Sequence, residues 1–171
     1  MLDALDLAAV DLYGHSMGGS IAIEAAGLLH SRVRHLVLSE SNLHPGGGIF
    51  SRAIAAQAET DYVARGHAGT IRESAETGNL VWAGSMAVTD PLAVHRAATS
   101  LVRGCSPSWY EQLRGLSMPR TVLFGARSLP DPDFDALHQD GISVAVVPEA
   151  GHSMAWENPS GLAQAIADAC A

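Results

Sequence analysis

The six residues Gly14-His15-Ser16-Met17-Gly18-Gly19 hold the strongest chemical signal in the chain. They fit G-x-S-x-G, in which a serine sits on a strand-to-helix turn too tight for ordinary backbone angles. Glycines two residues before and two after leave room for the turn and for the helix to pack on the strand. Such a turn holds the Ser16 hydroxyl out in the open. The backbone N–H of Met17 then falls in the first helical turn. N–H groups there are unpaired and the helix dipole favours negative charge, which suits Met17 to hold an oxyanion. The plainer alternative is a glycine-rich turn with an ordinary N-cap serine. A phosphate-binding loop fits less well, because no Lys follows and G-x-G-x-x-G is absent.

A serine hydroxyl is a poor nucleophile without a base. Of eight histidines, His152 is the best placed, because it follows Gly151 at the end of the last predicted strand. Parallel strands point their C-terminal ends at one face of a sheet, which puts His152 on the same face as Ser16. His30, His35, His67, His95 and His138 read as ordinary surface or core imidazoles. His44, in a Gly/Pro-rich break, is a candidate for the border of a pocket.

The elements that must position these groups can be read from periodicity. Ala9–Tyr13 is a short strand stopped by Gly14. Gly18–Leu29 is helical, with Ile21, Ala25 and Leu28/Leu29 recurring at helical spacing. Val33–Ser39 is a second buried strand, and strand, helix, strand in about 30 residues implies a parallel pair. Pro45 and three glycines then break the chain. Helical stretches follow at Ile49–Arg65, Asp90–Arg103 and Ser108–Leu113, with no convincing strand. Asp90-Pro91 is a good helix start, an N-cap acceptor before a proline. The strand–helix rhythm returns with a strand at Arg120–Phe124, a helix at Pro132–Gln139, a strand at Ile142–Val147 and a last helix from Pro159. That helix puts Leu162, Ile166 and Cys170 on one face. The expected division is a core at 1–44, a helical insert at 45–116 and a core at 117–171, forming one α/β domain.

Composition narrows the partners. The 171 residues carry a formal charge of −8, and all ten basic residues are Arg. So little basic charge disfavours nucleic acid and anionic membrane surfaces as partners. No run approaches the ~18 apolar residues of a membrane span, and the first residues do not read as a signal peptide. A cytoplasmic protein is expected. Cys105 and Cys170 have no zinc-ligand spacing and read as two small thiols rather than a disulfide.

The elbow residues 14–19, and Ala150-Gly151-His152 followed by Glu157-Asn158-Pro159, resemble the nucleophile elbow and catalytic-histidine segment of the α/β-hydrolase superfamily. The resemblance covers essentially the whole chain. It implies a parallel sheet flanked by helices, a helical cap, a small-molecule substrate bound between cap and sheet, no metal or organic cofactor, and the order Ser, acid, His along the chain. The usual place for the acid is just after the seventh family strand, where this chain has Ser128; Asp131 and Asp133 come slightly late. A subset of the family places the acid after the sixth strand, and Glu40 matches that arrangement. Glu40 is the favoured acid, with Asp131 and Asp133 as alternatives. Its task would be to orient the imidazole.

Trp82, Trp109, Phe50, Met86 and Leu101 of the insert could line an apolar pocket or pack the insert onto itself. Trp156 and Met154, near His152, are further pocket candidates. The resemblance begins at the family's fifth strand, so a fragment of a longer hydrolase is expected. It would have one oxyanion donor and an uncovered strand edge open to self-association. Two functions follow: a serine hydrolase acting on an ester-like carbonyl through Ser16, His152 and Glu40, or a non-catalytic remnant that binds without turnover.

Overall fold

A computed structural model describes residues 2–171. They form two compact units, one of residues up to Leu43 with Ser106–Ala171, the other His44–Cys105.

The first unit is built on a four-stranded sheet. In chain order its first elements are β1 (Val10–His15), α1 (Met17–Leu29) and β2 (Val33–Ser39). The second unit holds α2 (Ile49–Ala55), α3 (Glu59–Asp61), a π-helical stretch Tyr62–Gly66, α4 (His67–Glu76), α5 (Leu80–Ala87) and α6 (Pro91–Arg103). The first unit then resumes with α7 (Trp109–Gly115), β3 (Arg120–Gly125), α8 (Pro132–Gln139), β4 (Ser143–Val147), α9 (Met154–Glu157) and α10 (Pro159–Ala169). The strands lie in the order β1-β2-β3-β4, all parallel.

Burial follows strand position. The inner strands are apolar nearly throughout: Leu36, Val37 and Leu38 on β2, and Val122, Leu123 and Phe124 on β3, are all buried. Strands covered on both faces need such continuous runs. The outer strands β1 and β4 are mixed, with Tyr13 and Val146 exposed. On one side of the sheet Val37, Leu123 and Val147 pack with Met154 and Leu162, and Ile166 of α10 and Cys170 at its C-cap lie against them.

The residues whose spacing marks helix α1 in the sequence are not the ones it buries. Gly19, Ser20, Ala22, Ile23 and Ala26 are buried, whereas Ile21 is 61% and Leu28 82% exposed. The cause is close approach. A Cβ on Gly14 would stand 2.8 Å from Ala22 Cβ and 2.6 Å from the Gly18 carbonyl oxygen. Only the small-residue side of the helix fits against the strand that leads into it.

The insert also ends earlier than residue 116. Helix α7 belongs to the sheet unit. Trp109 is buried and its indole N–H donates to Glu24 of α1 at 2.8 Å. It is neither a pocket wall nor packing of the insert. Ser108 and Glu111 form a reciprocal capping box that starts α7. Within the second unit the expected helix Ile49–Arg65 is interrupted after Ala55. Ile54, Tyr62, Met86 and Ala98 form its buried centre, and the rings of Phe50 and Trp82 meet at 4.5 Å. Asp90 caps α6 through the Ala93 N–H at 2.8 Å, with Pro91 behind it. Cys170 is a free thiol. Among the described residues no helix is long and apolar enough to cross a membrane.

Candidate active site

Register brings the chemical residues to one edge. His15 pairs with Ser39, and Ser39 with Leu123, so β1 and β2 end level and β3 runs on to Gly125. The residues that follow these strands meet at their C-terminal ends.

Ser16 has φ 52° and ψ −125°, a conformation that costs a non-glycine residue of order 1–3 kcal/mol. Two backbone bonds secure it: its N–H donates to the Ser39 carbonyl at 2.9 Å, and its carbonyl accepts from the Gly19 N–H at 2.9 Å. It occupies the N-cap position of α1, yet its side chain makes no capping hydrogen bond. The N-cap-serine alternative therefore has no support, and the hydroxyl is not spent on the helix. Met17 is the first residue of α1, so its N–H belongs to the unpaired first turn. The two motif glycines differ. Gly14 cannot carry a side chain, whereas a Cβ on Gly18 meets nothing within 4 Å. The crowded position is Gly19, where a Cβ would fall 1.8 Å from Ser41 Oγ.

Glu40 stands just past β2 with φ 47°. Its N–H donates to the Leu123 carbonyl, and its Oε1 accepts from the Gly125 N–H at 2.8 Å. Its other oxygen, Oε2, lies 3.6 Å from His152 Nδ1. The Glu40 side chain is 11% exposed and the His152 side chain 59%. Burial pushes the Glu40 carboxyl upward. The nearby His152 ring, the bond from the Gly125 N–H, the Ser128 side chain and the charge of His152 outweigh it and hold the group below the usual carboxylate range. Ser128, where the resemblance led one to expect the acid, thus serves the carboxylate at position 40.

The other candidate acids are close by. Glu40, Asp131 and Asp133 line one small cavity of about 70 Å³ with Ser41, Leu43, Val122 and Phe124. Asp131, however, caps α8 by accepting from the Asp133 N–H at 2.8 Å. Glu40 has the recorded ion pair with His152.

The His152 segment is braced by its neighbours. Glu157 accepts from the Gly151 N–H, and the Arg127 N–H donates to the Ala150 carbonyl at 2.8 Å. Asn158 caps α10 through the Gly161 N–H and donates to the Pro148 carbonyl. Gly125 packs so tightly under this loop that a Cβ would sit 2.5 Å from the Ala150 oxygen. Met154 is fully buried in the core beneath, which removes it as a pocket residue, while Trp156 is 61% exposed. His44 is an exposed residue of the second unit. That unit has its own cavity of about 270 Å³, lined by Glu59, His95, Arg96, Thr99, Ser100 and Arg103, which holds none of the motif residues. Among the described residues no group of three or more His, Cys, Asp or Glu is arranged to hold a metal ion.

The family model described as "Alpha/beta hydrolase family" matches residues 1–165. The chain belongs to that family. Its fold is a partial α/β-hydrolase fold, a parallel sheet flanked by helices, and solved structures share it. A thermophilic esterase from Thermogutta terrifontis is 23% identical with a TM-score of 0.72; the match covers 98% of this chain and 66% of that one. An esterase from Exiguobacterium antarcticum is 17% identical (TM-score 0.73, 98% and 68%). The enol-lactonase from Burkholderia xenovorans LB400 is 18% identical (TM-score 0.71, 98% and 68%). At these identities the likeness speaks for the fold. The chain spans 66–68% of the length of these three structures. No curated protein matches it.

In this α/β-hydrolase chain two further groups, His15 and Ser39, lie at the site without a role assigned to them from the sequence. His15 lies against His152, their ring centroids 5.0 Å apart. Strand alternation puts it on the face of Tyr13, and its place inside the motif was a usable signal. Ser39 joins the two: its Oγ is 2.6 Å from Tyr13 Oη and 3.0 Å from His15 Nδ1.

Proposed function

We propose that the chain carries the nucleophile, base and acid of a serine hydrolase acting on an ester-like carbonyl. Ser16 Oγ attacks the carbonyl carbon and His152 accepts its proton. The Met17 N–H donates to the developing oxyanion. His152 then returns the proton to the leaving alcohol, and water, activated by the same imidazole, clears the acyl-enzyme. Glu40 orients His152 through Nδ1, which leaves Nε2 for the serine, and it stabilises the imidazolium without taking the proton. The observation that carries this reading is the Glu40–His152 pair at 3.6 Å, taken with a serine whose strained backbone leaves its side chain capping nothing. The pair is longer than a direct hydrogen bond, as catalytic contacts often are before substrate binds. Esterases and a lactonase among the structural neighbours fit the same substrate class.

Turnover of a short-chain nitrophenyl ester by the protein and its variants tests the assignment. Ser16→Ala and His152→Ala are expected to abolish it. Glu40→Gln should lower kcat by roughly a hundredfold or more. Asp131→Ala, which removes only a helix cap, should cost about 1 kcal/mol of stability and leave kcat within about twofold. The opposite order, with Asp131→Ala inactive and Glu40→Gln active, would transfer the acid's role to Asp131.

A further inference from the structure

His152 is oriented by Glu40 at one ring nitrogen, and its side chain is more than half exposed. An imidazole held at one point can still swing about its side-chain bonds. The second contact to this ring is His15, whose ring centroid lies 5.0 Å away at an interplanar angle of 49°. His15 is itself anchored. It is the last residue of β1 and pairs in register with Ser39. Its Nδ1 is 3.0 Å from Ser39 Oγ, which is 2.6 Å from Tyr13 Oη. Ser39 is fully buried on an inner strand, so this polar chain has a rigid base.

We propose that His15 is a positioning residue, an imidazole wall that keeps the His152 ring in the plane between Glu40 and Ser16. The proposal rests on the serine-hydrolase reading above. Charge agrees with this placement. Burial first, and then the charge of His152, push the His15 ring below the ordinary histidine range. His15 therefore stays neutral, and when His152 takes the serine proton the imidazolium faces Glu40 on one side and an uncharged ring on the other. The wall adds no second positive charge to the site.

Three substitutions separate a wall from a merely structural or polar role. His15→Phe keeps a flat ring and loses the hydrogen bond to Ser39. His15→Asn keeps a polar group and loses the ring. His15→Ala loses both. With a short-chain nitrophenyl ester, His15→Ala and His15→Asn should lose roughly ten- to a hundredfold in kcat, the scale of effect that slight misplacement of a catalytic group has. KM should stay within about twofold, and His15→Phe should recover most of the loss. Thermal midpoints taken alongside show which variants fold. Should His15→Ala not fold, the Phe–Asn comparison still decides. Wild-type kcat in His15→Asn, or an equal loss in His15→Phe and His15→Asn, would overturn the proposal. Ser16→Ala is the control for the underlying reading: its retaining full turnover would remove the nucleophile, whatever the His15 variants do.

Discussion

Two of the residues at this site take backbone angles that chains avoid: Ser16 and Glu40 have φ of 52° and 47°. Each follows a strand end directly, so the strain sits where side chains leave the sheet for the site. Glu40 has a consequence that can be measured through pH. Its folded-state pKa lies below the ordinary 4.5. Above that value the carboxylate is ionised in both folded and unfolded chains, and its contribution is fully present. As pH falls from there through the lowered folded-state pKa, the unfolded chain binds the proton first and the contribution is lost. Urea unfolding at pH 6 and at pH 3.5 is expected to show a smaller acid-induced loss of stability in Glu40→Gln than in the unsubstituted protein. An equal loss in both would mean that Glu40 is not held ionised by its neighbours. Ser16 and His152 stand out as candidates in the sequence because a motif and a strand end mark them. The choice among Glu40, Asp131 and Asp133 was not. All three approach one small cavity, and a helix cap at Asp131 and an ion pair at Glu40 are distinctions only a fold can make.

Elements explain how the elbow can form at all. Helix α1 must lie almost on top of β1, and small residues make that possible. Apolar periodicity placed this helix in the chain correctly, but Ile21 and Leu28, two of the residues that carry the spacing, are exposed. Period finds a helix, while close approach selects the face, and the glycines and alanines that permit the approach leave little trace in a hydrophobicity pattern. The four strands were legible for the opposite reason. Their apolar runs are short, and three of the four end at glycine or proline, at Gly14, Gly125 and Pro148. At this scale Gly19 is the vulnerable position. A Cβ there meets both Ser41 Oγ at 1.8 Å and Ser41 Cβ at 2.5 Å, so rotating the serine gives no relief and the backbone beside Glu40 must move. Gly19→Ala should lower stability by about 1–3 kcal/mol and reduce ester turnover. Gly18→Ala, in open space within a helix, should be neutral or stabilising by a few tenths to about 1 kcal/mol. Denaturant midpoints for the two variants check this. A Gly18→Ala variant as damaged as Gly19→Ala would contradict the contact geometry.

At the scale of the molecule, the pattern of the sequence changes at the Gly/Pro-rich break of residues 42–48, and the two compact units part between Leu43 and His44. The later border was misread because α7 is helical like the insert, though its Trp109 packs against α1. The sheet order leaves β1 with one neighbour, β2, among the described residues, and Ile21 and Leu28 of the adjoining helix are exposed. An unpaired strand beside exposed apolar side chains favours pairing with a second copy. Sedimentation of the 171-residue chain is expected to show mass rising with concentration, and Ile21→Glu with Leu28→Glu should reduce the rise. A single monomeric species at all concentrations would show that this edge does not associate.

Covalent labelling measures whether Ser16 is a nucleophile activated by His152. A fluorophosphonate should add one phosphonyl group, located by mass spectrometry at Ser16. The rate of labelling should fall by orders of magnitude in His152→Ala and strongly in Glu40→Gln, with Ser16→Ala unlabelled. Label that persists in Ser16→Ala, or labelling of Ser16 at an unchanged rate in His152→Ala, would contradict the account.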